Sequence, residues 1–174
     1  SSTGVGITYT RDADGRITRV TDPEGGVIRY GYDAFGHLVT VTDATGGITR
    51  YTYDADHRLQ DITLPDGTRA IRTEFDADGR KIRQIDAAGR IIRYDHDLAN
   101  RTETVTDRRG NATTYTYDAQ GRVTRIRDPL GGEQTSAYDA LGRLTRPTDA
   151  AGAVRQFTYT DHGRVEAQVD PEGR

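Results

Sequence analysis

The feature that most constrains this chain is an internal repeat of 21 residues. The motif Asp-x-x-Gly-Arg recurs, and the residue before its Asp is usually aromatic. This aromatic slot is filled in turn by Arg11, Tyr32, Tyr53, Phe75, His96, Tyr117, Tyr138 and Tyr159. The spacing is 21 residues throughout, except for 22 between Tyr53 and Phe75. Because a fixed period of this length indicates a repeat architecture, we expect eight similar units, the last of them incomplete.

Each repeat contains a second turn signal, about half a repeat after the first. Its glycine is present in all eight copies, and an Asp stands three residues earlier in seven of them, with Leu64 as the exception. Asp22-Pro23-Glu24-Gly25 has Asp first, Pro second and Gly fourth, which is typical of a type I turn. The first turn has the same chemistry, and its glycine is replaced by His57 and Asn100. We expect Asn100 to adopt the positive φ there, because Asn tolerates it better than other residues.

Two turns in 21 residues leave two strands of about six residues each, which is an ordinary strand length. Tyr30-Gly31-Tyr32 shows alternation at period two, so the two tyrosines should share one face of a strand, with Arg29 on the other. Repeated tyrosines at one slot should form ladders across the sheet. The sequence therefore predicts an all-β fold, an antiparallel meander of strand-turn-strand repeats that forms a curved ribbon. A parallel β-helix with one coil per repeat is the alternative.

The other strand of each repeat carries apolar residues three positions apart, as in Leu38 and Val41. Strict alternation would put these two side chains on opposite faces, whereas a bulge beside the glycine turn would bring them to the same face. In the fourth repeat the apolar pair slips by one position, to Ile82 and Ile85, after the extra residue between Tyr53 and Phe75. We predict a local register change or kink in this region.

Composition limits the possible functions. The net charge is −3 and acids alternate with bases, so the chain lacks the clustered cations of a nucleic-acid-binding surface. There is no cysteine and no apolar run long enough to cross a membrane. Of 24 basic residues only Lys81 is lysine, and arginine makes forked hydrogen bonds that can tie neighbouring turns together. Because the sequence contains no methionine, we expect it to be an internal segment of a longer chain.

We predict no catalytic residue, no cofactor site and no metal site. His37, His57, His96 and His162 each replace another residue of the repeat and share no metal-ligand spacing, so we expect structural roles for them. The residues that we expect to matter are positions of the repeat itself. They are the slot residues Tyr32, Tyr53, Tyr117, Tyr138 and Tyr159, the first-turn residues Asp33, Asp118, Asp139, Gly15, Gly36, Gly121, Gly142, Arg16, Arg122 and Arg143, and the second-turn residues Gly25, Gly46, Gly110 and Gly131.

The pattern Tyr-Asp-x-x-Gly-Arg, followed by Asp-x-x-Gly and the next Tyr, resembles the YD or Rhs repeat family. The resemblance covers residues 9–174 as eight repeats, and residues 1–8 are left as a linker or a fragment of a preceding repeat. In this family, which includes bacterial polymorphic toxins, insecticidal toxin complexes and teneurins, such repeats form a hollow β-shell. In bacterial members the shell encloses a toxin domain until delivery.

The resemblance implies a structural segment of a toxin shell, secreted or exported to the bacterial cell surface as part of a larger toxin. Its implied partners are the remaining repeats of the parent polypeptide and the enclosed toxin domain, with secretion-system components or glycans as further partners, and it implies no enzymatic activity. The alternative is a carbohydrate-binding module for cell surfaces that uses exposed tyrosine ladders. Carbohydrate-binding repeats of this kind favour Trp, which the chain lacks, so we favour the shell.

Overall fold

The computed structural model describes residues 6–174, which form sixteen strands and no helix. Most of the predicted linker, residues 1–8, therefore lies outside the described residues. The strands are β1 Thr8–Arg11, β2 Ile17–Thr21, β3 Val27–Tyr32, β4 Leu38–Thr42, β5 Ile48–Tyr53, β6 Leu59–Thr63, β7 Arg69–Phe75, β8 Lys81–Asp86, β9 Ile91–Asp97, β10 Thr102–Thr106, β11 Ala112–Tyr117, β12 Val123–Arg127, β13 Glu133–Tyr138, β14 Leu144–Thr148, β15 Gln156–Tyr159 and β16 Val165–Val169.

The strands pair with their sequence neighbours, antiparallel throughout. The chain divides into two compact units, the first ending at Ile91 and the second beginning at Ile92. In the first unit β1 to β8 pair in chain order. In the second unit β9 to β14 do the same, and β15 and β16 form a separate hairpin. Tyr117 and Tyr138 lie in β11 and β13, which both pair with β12, so the predicted meander is confirmed and the parallel β-helix is wrong.

Apart from the turn between β9 and β10, the turns share one backbone hydrogen-bond pattern, illustrated by Asp118–Arg122. The N–H of Gly121 donates to the Asp118 carbonyl at 3.1 Å, and the N–H of Asp118 donates to the Arg122 carbonyl at 2.9 Å. Gly121 has a φ of 79°, so the turn is a type I turn followed by a left-handed residue. The Asp118 side chain accepts the N–H groups of Gln120 and Arg122 at 2.9 Å each, which satisfies backbone donors inside the turn.

Seven of the eight first-turn hairpins that the described residues form contain a bulge beside the aromatic slot, with the extra residue on the second strand of the hairpin. In β3–β4, Gly31 lies opposite Thr40 and Tyr32 lies opposite Leu38, so Val39 is the extra residue. The bulge brings Leu38 to the same face as Val41, which lies opposite Tyr30. It therefore resolves the three-residue spacing of the apolar slots. We call this side of the sheet the tyrosine face, and the opposite side the arginine face.

The extra residue of the long repeat is Ala70 in β7. Ile71 lies opposite Ile62 and Arg69 lies opposite Thr63, so Ala70 has no partner on β6. The predicted register change is thus a one-residue bulge beside the second turn. In the following strand Gln84 takes the position of an apolar residue on the tyrosine face, because it lies opposite Thr73. Ile85 lies opposite Arg72 on the arginine face instead.

The hairpin between β9 and β10 departs from the repeat. Its ladder runs without a bulge from Arg93–Thr106 to Asp97–Thr102. The positive φ falls on Arg101, at 52°, and not on Asn100, so the prediction for Asn100 is wrong. The physical reason lies in the longer pairing of β10 with β11, which extends over five residue pairs, compared with three in β12–β13. The added ladder hydrogen bonds offset the strain of a left-handed arginine.

Pro147 interrupts the sheet between β14 and β15. It occupies the position of Ile126 in the preceding repeat, where Ile126 pairs with Gln134. Proline has no N–H, so it cannot donate to the next strand. The backbone pairing of β14 with the segment that leads into β15 is limited to the Arg155 N–H donating to the Pro147 carbonyl at 3.1 Å and a bridge between Thr148 and Val154.

None of the described residues is buried, whether apolar or polar. The apolar side chains of the strands are half-exposed, for example Val41 and Ile126. A sheet normally covers one face against a second layer of structure. Within each unit the strands therefore hold together along the sheet, through ladders and side-chain contacts between neighbouring repeats.

Candidate functional site

The most regular side-chain arrangement joins the aromatic slot of one repeat to the first turn of the repeat before it. The Tyr138 hydroxyl donates to the Val123 carbonyl at 2.8 Å, and the Tyr159 hydroxyl donates to the Leu144 carbonyl at 2.7 Å. The same bond joins Tyr32 to Ile17 at 2.8 Å and Tyr53 to Leu38 at 2.9 Å. The ladders across the second turns, between β2 and β3, between β4 and β5 and between β12 and β13, contain only three residue pairs each. The hydroxyl thus satisfies a carbonyl beyond the end of the regular ladder.

An ion pair beside each tyrosine completes the arrangement. Arg122 Nε donates to Asp118 Oδ2 at 2.7 Å, four residues earlier, and the guanidinium carbon lies 4.8 Å from the centroid of the Tyr138 ring. Arg122 Nη1 also reaches the Asp139 carbonyl in the next first turn, at 3.4 Å. One guanidinium therefore contacts the turn of its own repeat and both the ring and the turn of the following repeat. We call this set of contacts the inter-repeat clamp.

The clamp recurs with small variations. Arg143 pairs with Asp139 at 2.6 Å and covers Tyr159 at 4.8 Å, and Arg16 pairs with Asp12 at 2.8 Å and covers Tyr32 at 4.9 Å. Arg58 covers Phe75 at 4.7 Å. In each case a planar cation lies over an aromatic face, an arrangement that is attractive for arginine.

The turn glycine of the next repeat lies close beneath the guanidinium. A Cβ built on Gly142 would lie 3.4 Å from Arg122 Nη1, and one built on Gly79 would lie 2.7 Å from Arg58 Nη1. Gly142 and Gly79 also have positive φ values of 81° and 85°. Glycine at this position therefore meets both a conformational and a steric requirement of the clamp.

One copy replaces the arginine by histidine. His37 Nδ1 lies 2.9 Å from Asp33 Oδ2, and the His37 ring stacks on Tyr53 with centroids 4.5 Å apart. His57 takes the glycine position of the next turn with a φ of 67°, and its ring lies 4.9 Å from that of His37. Phe35 adds a third ring, 4.9 Å from His57. Here aromatic stacking takes the place of the guanidinium contact.

The turn carboxylates are held in their ionised form. The pKa of Asp12 lies below its ordinary value, chiefly because its side chain accepts a hydrogen bond from Arg16. The pKa of Asp139 is also lowered, chiefly by the backbone N–H of Arg143, with the Arg143 side chain adding to the effect. Hydrogen bonds to a carboxylate favour its charged form.

The structure places the sequence-predicted positions as follows. Tyr32, Tyr138 and Tyr159, with Asp118, Asp139, Arg16, Arg122 and Arg143, come together in clamps, and Tyr53 and Asp33 come together through His37. Tyr117 stands apart, because no guanidinium of the described residues covers its ring, while its N–H donates to the Arg101 carbonyl at 2.9 Å. Positive φ values occur at Gly15, Gly36, Gly121 and Gly142 in first turns and at Gly25, Gly46, Gly110 and Gly131 in second turns.

The sequence reasoning missed the roles of Arg101 and Glu103. Glu103 lies on the tyrosine face, opposite His96 and Tyr115, because the missing bulge shifts β10 by one residue. Its Oε2 lies 3.0 Å from His96 Nδ1. The pKa of Tyr117 is raised by burial, and further by the Glu103 carboxylate and by Tyr115. The signal in the sequence was the absence of an apolar pair in this repeat.

Residues 6–174 contain no group of three or more His, Cys, Asp or Glu side chains arranged to hold a metal ion. They also contain no helix with the length and apolar character needed to cross a membrane. The arrangement of side chains supports cohesion between repeats.

Comparison with protein families identifies a repeat family. The model of the RHS repeat matches residues 11–48, 32–69, 75–112, 99–133 and 138–174. No curated protein gives a significant match.

Solved structures with a similar fold come from toxin complexes. A crystal structure of TcdB2-TccC3-Cdc42 aligns with a TM-score of 0.64 and 22% identity over 85% of this chain and 9% of that chain. A crystal structure of TcdB2-TccC3-TEV aligns with a TM-score of 0.64 and 16% identity over 96% of this chain and 12% of that one. The Tc holotoxin pore of Photorhabdus luminescens, with a TccC3 variant, has a TM-score of 0.59 and 14% identity over 93% and 11%. The chain thus spans about a tenth of the length of these solved chains.

Proposed function

This chain belongs to the RHS repeat family, and we propose that it forms part of the wall of a shell that encloses and protects a toxin before delivery. The observation that carries the proposal is that none of the residues 6–174 is buried although the strands are regularly paired. A wall of one layer needs this property, because it must be cohesive along the sheet and accessible on both sides. The fold shared with chains of toxin complexes supports the same role.

The inter-repeat clamp supplies cohesion within the layer. Each clamp ties one turn to the ring and turn of the next repeat, as Arg122 does with Tyr138 and Asp139. Repeats stabilised chiefly by their neighbours form extended arrays whose length is set by the number of units. Such an array extends a wall without a second layer of strands or helices.

The same proposal includes the partners and the location. The chain contacts the remaining repeats of its parent polypeptide, and the parent encloses a toxin domain and is exported as part of a larger toxin. Residues 9–174 act as eight repeats, and residues 1–8 lead into them. The segment has a structural function and no catalytic activity of its own.

Limited proteolysis of the parent polypeptide tests the proposal. The parent, with its flanking repeats and the domain that follows them, should release that domain intact only after denaturation of the repeats. A parent that carries Arg122→Ala and Arg143→Ala, which weaken two clamps, should expose the domain to protease sooner. Rapid digestion of the domain beside an intact repeat array would contradict enclosure.

The alternative role in carbohydrate binding has less support. A sugar ring binds the open face of an aromatic side chain, yet guanidinium groups cover Tyr32, Tyr138 and Tyr159 at 4.8–4.9 Å. Their hydroxyls are bonded to backbone carbonyls. Specific binding of this segment alone to a glycan array would favour the alternative.

A further inference from the structure

One aromatic slot of the second unit lacks the guanidinium that covers its counterparts. In four copies the guanidinium carbon lies 4.7–4.9 Å above the ring, over Tyr32, Phe75, Tyr138 and Tyr159. We call the space over the ring the guanidinium slot. Among the described residues no arginine occupies the slot over Tyr117. The sequence nevertheless has Asp97 and Arg101 at the positions that form the clamp in the other copies.

The backbone conformation of the β9–β10 turn places Arg101 differently from the clamp arginines. Arg101 has a φ of 52°, and its carbonyl accepts the Tyr117 N–H at 2.9 Å. Asp97 is bonded to Asn100 instead, with Oδ1 accepting the backbone N–H at 3.0 Å and Oδ2 accepting the side-chain Nδ2 at 2.7 Å. The ion pair that positions Arg122 in the next copy is therefore replaced here by an Asp–Asn contact.

An open pocket of about 330 Å³ takes the place of the missing side chain. Its lining includes Tyr117, Glu103, Leu98 and Asp118, and Arg101 also lines it. Glu103 is 28% exposed and reaches the tyrosine face only because this hairpin lacks the bulge. Its carboxylate and burial together raise the pKa of Tyr117, burial being the larger cause. The pocket thus combines an aromatic ring with a carboxylate in a half-buried setting.

We propose that this pocket binds the guanidinium group of an arginine side chain from another polypeptide segment. The other four slots supply the precedent, since each holds a guanidinium between an aromatic ring and a carboxylate. A flat guanidinium suits such a slot better than an ammonium group, because it stacks on the ring and donates hydrogen bonds in its plane. Glu103 Oε2 lies 3.0 Å from His96 Nδ1, and the remaining lone pairs of this carboxylate supply the acceptor that the first-turn Asp supplies elsewhere. Leu98, which is 63% exposed, offers apolar contact to the arginine methylenes.

Titration of the 174-residue chain with N-acetyl-arginine methylamide tests the proposal, with the ring resonances of Tyr117 and His96 followed by NMR. We expect saturable shifts at these rings. N-acetyl-citrulline methylamide, which has the same shape without the charge, should bind at least tenfold more weakly. Glu103→Gln should weaken binding of the arginine probe about tenfold, which corresponds to the loss of about 1.4 kcal/mol. Equal binding of the two probes, or shifts that Glu103→Gln leaves unchanged, would overturn the proposal.

Two further variants test whether the guanidinium slot over Tyr117 is vacant in solution or is filled by Arg101. Arg101→Ala should retain or strengthen binding, because it removes a positive charge from the rim of the pocket. Binding that appears only in Arg101→Ala would mean that Arg101 itself is the occupant, and the proposal would fail. Arg122→Ala empties the slot over Tyr138 and should create a second site whose shifts appear at the Tyr138 ring. Far-UV circular dichroism of each variant checks that the sheet is intact.

Discussion

The Tyr138 hydroxyl and the Val123 carbonyl form a 2.8 Å hydrogen bond that spans fifteen residues of the chain. The bond lies where the β12–β13 ladder has ended after three pairs, at Arg125–Thr135. This side-chain bond therefore connects β12 and β13 beyond the point where their backbone pairing ends. The same bond in three other copies indicates that tyrosine, and not merely an aromatic ring, is what the slot requires where the carbonyl must be satisfied.

Removal of this hydroxyl should destabilise the chain. Tyr138→Phe leaves the ring under Arg122 but orphans the Val123 carbonyl, and we expect it to lower the free energy of unfolding by about 1 kcal/mol. Urea unfolding followed by circular dichroism measures the difference. Tyr115→Phe is the matched control in the neighbouring hairpin, because no hydrogen bond of the Tyr115 hydroxyl occurs among the described residues. A loss of the same size in both variants would contradict this role for the hydroxyl.

Lysine should not replace the clamp arginine. Arg122→Lys keeps the charge but loses the fork that contacts Asp118 and the Asp139 carbonyl together, and it weakens the stacking on Tyr138. We expect a loss of about 1 kcal/mol, measured by thermal and urea unfolding. Arg125→Lys is the control, since Arg125 is 55% exposed and its nearest acid, Glu133, is 3.8 Å away. The prediction fails if the two substitutions have equal effects.

The second-turn glycine should be intolerant of a β-branched residue. Gly110 has a φ of 88°, and a Cβ there would meet no other atom within 4 Å, so the conformation of the backbone is the main cost of Gly110→Val. We expect a loss of roughly 1–3 kcal/mol in the free energy of unfolding. Arg109→Val, one residue earlier in the same turn at a negative φ, should cost much less. Thermal melts of the two variants compare them directly, and equal melting temperatures would refute the turn assignment.

The turn carboxylates predict acid sensitivity. Asp12, Asp76 and Asp139 have pKa values below the ordinary value for an aspartate, the first chiefly through the Arg16 side chain and the other two chiefly through backbone N–H groups. A group whose pKa is lower in the folded state stabilises the fold above its unfolded pKa, and this contribution is lost as pH falls through the folded pKa. Stability should therefore be flat from neutral pH to about 5 and should fall below about 4. Asp139→Asn should reduce the slope of stability against pH in the acid range. A slope unchanged by this substitution would show that Asp139 does not contribute.

Restoring a backbone donor at Pro147 should extend the sheet. Pro147→Val allows a second ladder hydrogen bond toward Arg155, at the position where Ile126 pairs with Gln134. Hydrogen exchange of the β15 amide groups should slow in the variant. Exchange in β9–β10, in the same unit, serves as the internal control and should not change. Equal exchange of β15 with and without the proline would mean that another feature separates the two sheets.

The repeat period could be derived from the sequence because turn chemistry is local. Asp118 and Gly121 fix the turn through hydrogen bonds within five residues, so their spacing alone predicts where β11 ends and β12 begins. The clamp could not be derived in the same way. Contact between Arg122 and Tyr138 depends on the number of residue pairs that β12 and β13 form before the two strands separate. The identities of Arg122 and Tyr138 do not determine this number.

The exception at Arg101 shows where turn motifs stop being predictive. Asp97-Leu98-Ala99-Asn100-Arg101 differs from the standard motif mainly by Asn in place of Gly. Because Asn adopts a positive φ at greater cost than Gly, a second arrangement with more ladder pairs becomes competitive. The outcome depends on whether the five residue pairs of β10–β11 stabilise the fold by more than the left-handed Arg101 destabilises it. The turn motif by itself contains no information about this balance.

The bulge at Ala70 has a consequence for how such a gene can change. One added residue displaces the register for a single strand, and by Phe75 and the turn that begins at Asp76 the repeat has recovered its normal geometry. Each turn sets the alignment of its own hairpin afresh, so an in-frame insertion or deletion of a codon is contained within one unit. Loss or duplication of a whole repeat by recombination would leave the turn-and-strand geometry of the remaining repeats unchanged. A coding sequence of this kind can therefore vary in length while the architecture of the protein stays the same.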